Sequence, residues 1–172
     1  MNIFVLHTNP EHSARMMCDK HIPKMVVETA QMMASALRRH GADDSIMPIA
    51  KTTGRPYRGG YHHHPCTVWA GDTRANYEWL TMHGIALSVH YAVRFGKIHA
   101  CSGAIQQMRH HASLIPTGPL TEFAQAMPDE FKVEGNAVLA YRRYYSSDKR
   151  RFASWTKGIP APSWWDNMEE DQ

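Results

Sequence analysis

A chain of 172 residues, 43% hydrophobic and 20% charged, has the size and composition of a folded domain and too much apolar material to remain disordered. Its uncharged stretches, such as 3–9 and 98–108, are far shorter than the ~20 apolar residues of a membrane helix, and no cleavable signal opens it. Cys18, Cys66 and Cys101 lack the spacing of a disulfide framework, so a cytoplasmic protein without a membrane span is expected, and its net charge of +3 permits nucleic-acid binding without requiring it.

Ile3 to Leu6 is an apolar run too short to distinguish a strand from a buried N-terminal segment. Asn9-Pro10-Glu11 is a helix start, with a capping side chain, proline at the first helical position and an acid in the first turn. The periodicity predicts one long helix over 10–39, ended by Gly41 and kinked or split at Pro23. Ile22, Met25, Val26, Thr29, Met33 and Ala36 should face inward, while His21, Lys24, Glu28 and Gln31 share another face. Residues 41–64, with several glycines and prolines, predict a long loop.

A second long helical region is predicted over 65–95, with Gly71-Asp72 as its candidate break and Asp72 as a cap for the longer half, closed by Gly96. Its expected core stripe is Ala75, Trp79, Met82, Ala86, Val89 and Val93, with Asn76, Leu80, His83, Leu87, His90 and Arg94 bordering a cleft. A turn at 116–119, a short helix at 121–127 and a third long helix at 135–155, buried along Val138, Tyr141, Tyr145, Phe152 and Trp155, complete the pattern. The fold class is therefore mainly α: a compact single domain over 1–172, with about three long helices, the 41–64 loop, at most a short N-terminal strand, and an aromatic and acidic tail at 158–172.

Three constellations can carry chemistry. Asp19, Lys20, His21, Lys24 and Glu28 combine acids, a base and amines: a deprotonated lysine can attack a sugar carbon while Glu28 moves the proton, although the same residues also make an ordinary solvated face. His62-His63-His64-Pro65-Cys66 offers metal-ligand types, but at spacings that match no standard zinc site. Arg142, Arg143, Lys149 and Arg150 recur seven residues apart and should form one ridge, interleaved with aromatics and followed by Trp164-Trp165, a mixture suited to phosphates and unstacked bases.

The set Asp19-Lys20-His21, Lys24-Met25, Glu28, Gln31, His64-Pro65-Cys66, Trp69, Asn76-Tyr77, Trp79-Leu80 and Arg94-Phe95-Gly96-Lys97 with His99 resembles a family of small tailed-phage proteins, a likeness that implies no particular activity. Gly59-Gly60-Tyr61, His63-His64-Pro65, Trp69, Gly71, Arg94-Phe95-Gly96 and Pro162-Ser163-Trp164-Trp165 more distantly resemble the pyrimidine-dimer DNA glycosylase/AP lyase family of small all-α repair enzymes. That resemblance implies attack on the sugar C1′ by an N-terminal α-amine, a Schiff base, and help from a glutamate on the first long helix. Overlaying the family's helix motif puts Asp19 on an acidic position, His21 on an arginine and Ile22 where the glutamate belongs, so that either Glu28, further along the helix, substitutes for it or the glycosylase chemistry is lost or replaced. Because Asn2 is not a small residue, methionine should be retained, which makes the Met1 amine the terminal nucleophile.

The leading expectation is a DNA-acting enzyme of glycosylase/AP lyase type in a phage-infected cell. Met1 or Lys24 would be the nucleophile and Glu28 or Asp19 the acid/base, beside Lys20 and His21. His63, His64, Arg74, Asn76, Arg142, Arg143, Lys149 and Arg150 would bind DNA as a duplex with a displaced base, and Trp164, Trp165 or Tyr145 would fill or line the gap. Lys24, Glu28, His64 and Asn76 should meet at one cleft, with no cofactor. The alternatives are a metal-dependent nuclease or nucleotide hydrolase using His62 to His64, and a non-enzymatic phage DNA-binding protein.

Overall fold

The computed structural model describes residues 1–166; the acidic residues Glu169, Glu170 and Asp171 of the tail lie outside the described residues. The architecture is mainly α. Six α-helices are described: α1 (Pro10–Met16), α2 (His21–Arg39), α3 (Pro65–Asp72), α4 (Arg74–Phe95), α5 (Ser102–Met108) and α6 (Ala137–Asp148). The loop region carries a minimal antiparallel pair, β1 (Ile49–Ala50) and β2 (Arg55–Pro56), with Ile49 opposite Pro56. No described helix is long and apolar enough to cross a membrane.

Residues Ile3 to Leu6 form no strand. They run fully or almost fully buried through the core, and side chains substitute for a sheet partner. Asn2 Oδ1 accepts from the Ile3 and Phe4 amides, Ser13 Oγ accepts from the Leu6 amide, and Arg142 Nε donates to the Leu6 carbonyl.

The helix expected over 10–39 is two helices. Asn9 caps α1 by accepting from the Glu11 and His12 amides, and the chain leaves helical geometry at Met17. It re-enters at His21, so the segment is split ahead of Pro23, which falls in the first turn of α2, where a missing backbone donor costs nothing. The predicted inward face of α2 is buried as expected, against α4, α3 and α5. Gly84 of α4 sits so close to α2 that a Cβ there would lie 2.5 Å from Thr29 Cγ2.

The break between α3 and α4 falls one residue later than expected: Thr73, not Asp72, caps α4 by accepting from the Asn76 amide. Gly96 then closes α4 in the left-handed conformation. The two faces of α4 are exchanged relative to expectation. Asn76, Leu80, His83, Leu87 and Arg94 are buried, whereas Met82, Val89 and Val93 of the expected core stripe are exposed. Only Trp79 of that stripe is buried, with its indole N–H donating to the Thr8 carbonyl.

Residues 121–127 are not helical, and the helical stretch at 102–108 was not anticipated. The third long helix is also shorter than expected. Asn136 caps α6, and α6 ends at Asp148, placing Tyr141 and Tyr145 fully in the core. All three cysteines are free.

Candidate active site

The first turns of α2 set the site's position. Glu28 is 8% exposed and accepts the Asn2 amide at 2.7 Å, which draws the start of the chain onto the helix. The Met1 α-amine lies 3.7 Å from Glu28 Oε2, and Lys24 Nζ, one turn earlier, lies 3.5 Å from Oε1. One carboxylate is thus shared by two amines. These groups line an open pocket of about 310 Å³ with Val27, Gln31 and Tyr61.

Tyr61 arrives there because the loop is clamped to α2. The Gly60 amide donates to Ser35 Oγ at 2.8 Å, and Ser35 Oγ donates back to the Gly60 carbonyl at 3.0 Å. A Cβ on Gly59 would sit 2.2 Å from Ser35 Oγ, and Gly59 has φ of 77°, so glycine is required on both counts. Tyr61 itself has φ of 52° and its ring is 69% exposed. A non-glycine residue held there stores backbone strain at the pocket rim.

His64 caps α3, its Nδ1 accepting from the Cys66 amide. Burial and then the Met1 amine lower its pKa, while Glu28 opposes them, so its ring is within electrostatic reach of both groups. His63 is exposed beside a separate pocket with His62, Arg38 and Arg39. Cys66 is buried, 3.7 Å from the Tyr141 hydroxyl, and burial pushes its thiol up to about 11. Among the described residues no group of three His, Cys, Asp or Glu side chains is arranged to hold a metal ion.

Behind the pocket lies an aromatic nest. His21 stacks on Phe4 at 4.7 Å and meets Tyr145 and Phe152 edge-on. Burial first, then Lys24, Lys149 and Lys20, lower its pKa to about 3, so the imidazole is neutral and shuttles no proton near pH 7. The same three lysines therefore surround His21, and of them only Lys24 also lines the pocket. Lys20 Nζ stands over Phe152 at 4.7 Å, and Lys149 Nζ over Tyr144 at 4.3 Å.

Several expected site residues lie elsewhere. Asp19 is buried away from the pocket, where its Oδ1 pairs with Arg94 at 3.0 Å and its Oδ2 accepts the Thr156 amide at 2.7 Å. This clasp joins α4 to the C-terminal segment. Asn76 is fully buried and binds the Trp69 carbonyl and both Thr121 groups, so it does not reach the cleft. Arg74 Nη2 donates to the Ser113 carbonyl, bracing a turn. Trp164 and Trp165 are 4% and 9% exposed against Tyr145, and cannot fill a gap in DNA without leaving the core.

The expected helical ridge is also broken, since α6 ends before Lys149 and Arg150. Arg142 is half-buried over Trp164, Arg143 is half-buried, and Arg150 packs over Trp165 with Asp166 3.6 Å away. Conversely, sequence reasoning missed Asn2 as the residue that docks the terminus, and Tyr61 as a pocket residue. The glycine pair before Tyr61 was the available signal.

A family model described as pyrimidine dimer DNA glycosylase matches residues 1–100, more than half of the chain. The chain belongs to that glycosylase family. The matched span contains Met1, Lys24, Glu28, Tyr61 and His64, and stops before α5, α6 and the tryptophan pair. No curated protein and no solved structure matches the chain.

Proposed function

We propose that this member of the glycosylase family removes a damaged or modified base from DNA by covalent catalysis, with the Met1 α-amine as nucleophile and Glu28 as proton acceptor. The observation that carries this reading is the 3.7 Å approach of the amine to a nearly buried carboxylate at an open pocket. The neutral amine forms a bond to C1′ as the glycosidic bond breaks with its electron pair going to the base. Glu28 takes up the amine's two protons in turn, passing one to the departing base and the other to the ring oxygen as the sugar opens and an imine forms. Loss of a C2′ proton then expels the 3′ phosphate and cuts the strand.

Lys24 at the pocket and exposed Lys20 one turn before it supply positive charge for the phosphates beside the reacting sugar, and exposed Tyr61 offers a ring against which a displaced base can stack. These replace the tryptophan pair in that role. His64 stays neutral at the pocket edge and can donate or accept one hydrogen bond there.

Borohydride trapping on a duplex with one abasic site tests the reading. A covalent adduct mapping by peptide mass to the Met1 residue is expected, lost when one residue is added before Met1 and retained in Lys24→Ala. An adduct on Lys24 would move the nucleophile to that side chain. No adduct, with abasic and damaged duplexes left uncut, would end the lyase reading. Unchanged function in Glu28→Gln would favour a DNA-binding protein without catalysis.

A further inference from the structure

Past the amine pocket, the same face of α2 leads into a second cavity of about 510 Å³, bounded by Ser35, Arg38 and Arg39 of the helix, His62 and His63 of the loop, and Thr67 of α3. Lys24, Glu28, Gln31, Ser35 and Arg39 fall within roughly 80° of one another around the helix. Tyr61 lines the first cavity, and His62 and His63, next in the chain, line the second. The two cavities therefore share one helix face and one loop. Along the helix axis, Glu28 is ~10 Å from Ser35 and ~16 Å from Arg39.

The donors in the second cavity suit an anion. Arg39 uses one guanidinium nitrogen inside the protein: Nη1 donates to the Val68 carbonyl at 3.1 Å and to Asp72 Oδ1 at 2.9 Å. Those bonds orient the planar group. Among the described residues Nε and Nη2 of Arg39 have no partner, which leaves the adjacent pair of donors that grips two phosphate oxygens at once. Arg38, by contrast, is committed to the Tyr57 and Ala42 carbonyls and to Asp44, and serves as a wall. Thr67 is 3% exposed on the opposite side, and its hydroxyl has no hydrogen-bond partner among the described residues. A buried hydroxyl left unbonded is unfavourable, and a ligand oxygen in the cavity removes that penalty. Exposed His62 and His63 each add a ring N–H. No acid occurs between Glu28 and Asp43 or between Asp44 and Asp72, whereas those stretches carry Arg38, Arg39, Lys51, Arg55 and Arg58. The helix end and loop that form the cavity are thus net positive, even with Asp44 on Arg38 and Asp72 on Arg39.

We infer that this second cavity binds a backbone phosphate of the DNA strand whose sugar occupies the amine pocket, with Arg39 gripping two of its oxygens and Thr67 and His63 donating to it. The inference rests on the reading above in taking the amine pocket as the seat of the reacting sugar. At ~3.4 Å of duplex axis per nucleotide, the strand covers the distance between the cavities within about five nucleotides. A phosphate held there fixes the register of the strand on α2, so a contact remote from the base decides which nucleotide faces Met1.

Fluorescence anisotropy on a duplex with one tetrahydrofuran abasic site, which has no C1′ leaving group, measures binding without catalysis. A set of such duplexes, each with one linkage within about five nucleotides on either side replaced by an uncharged methylphosphonate, locates the phosphate. For the wild type one linkage should stand out, its neutralisation weakening binding about tenfold. Arg39→Ala should lose a similar factor on the unmodified duplex, lower the slope of log affinity against log salt by about 0.9, and show no further loss when that linkage is neutral. Thr67→Val removes a hydroxyl that has no protein partner, so it keeps the fold, and it should weaken binding several-fold through the same linkage. Borohydride trapping on a natural abasic site reads the reaction separately: a wild type that forms no adduct but still shows the Arg39-dependent linkage would end the lyase reading and support the subsite. A wild type indifferent to every linkage, an Arg39→Ala chain that still loses the full factor at the sensitive one, or a Thr67→Val chain that binds every duplex as the wild type does would overturn the inference.

Discussion

The two central helices, α2 and α4, use their polar residues in opposite ways. On α2 the apolar residues form one inward stripe, and the polar face carries Lys24, Glu28 and Gln31 to the pocket. On α4 the polar residues Asn76, His83 and Arg94 are buried, while valines and a methionine meet solvent. Asn76 and Arg94 spend their hydrogen bonds inside the fold, on Thr121 and Asp19. Among the described residues His83 finds no partner for either ring nitrogen, and it lies against Trp79 instead. A polar side chain on α2 is therefore available for chemistry, whereas one on α4 is a structural member.

The contrast can be broken by substitution, starting with the largest effect. Glu28→Gln keeps an acceptor for the Asn2 amide but loses the proton acceptor, so the rate of imine formation should fall by about 10²- to 10⁴-fold with little change in thermal stability. Single-turnover kinetics and a melting curve read the two quantities separately. Arg94→Ala leaves Asp19 as a buried charge without its ion-pair partner and should cost about 3–5 kcal/mol in a urea titration. Asn76→Ala strands the Thr121 groups and should cost about 1–3 kcal/mol in the same measurement.

Smaller effects sharpen the comparison. His21 on α2 and His83 on α4 both have their pKa lowered to about 3, but His83 by burial alone and His21 by burial together with Lys24, Lys149 and Lys20. A folded pKa below the unfolded value means that the unfolded chain takes up the proton first. Each histidine thus contributes stability that is present above pH ~6.5 and lost as pH falls toward about 3, by up to ~1.4 kcal/mol per pH unit. His83→Phe should flatten this slope independently of salt, whereas added salt should flatten the His21 contribution by screening the lysines. Smallest of all, Val89→Ala should change stability by no more than about 0.5 kcal/mol in the same urea titration.

How far the sequence revealed the fold depended on whether apolar residues occupied one face or two. In α2 a single stripe was apolar, so its burial followed from spacing, and Lys24 and Glu28 followed as neighbours one turn apart. In α4 both faces were apolar enough to be core, and the stripe with Asn76, His83 and Arg94 looked like the wet one. Its burial rests on Thr121, Trp79 and Asp19, whose nearness no local pattern reveals. Spacing alone likewise could not stop α6 before Lys149 or place Trp164 against Tyr145. The pairing of Met1 with Glu28 was expected only as a replacement for the acid missing at Ile22; its cause, the Asn2 amide bonded to Glu28, is a long-range contact.

The N-terminal segment has a consequence for the order of folding. Asn2 Nδ2 donates to the carbonyl of Ala126, Phe4 packs on Tyr141 and Tyr145, and the Cys18 amide is held by the Tyr145 hydroxyl. The N-terminal segment therefore closes on partners more than a hundred positions further along the chain. Such distant contacts carry a large loop-closure entropy and form slowly. During synthesis the segment that carries Asn2 onto Glu28 cannot settle until α6 has emerged, so the pocket matures among the last parts of the molecule.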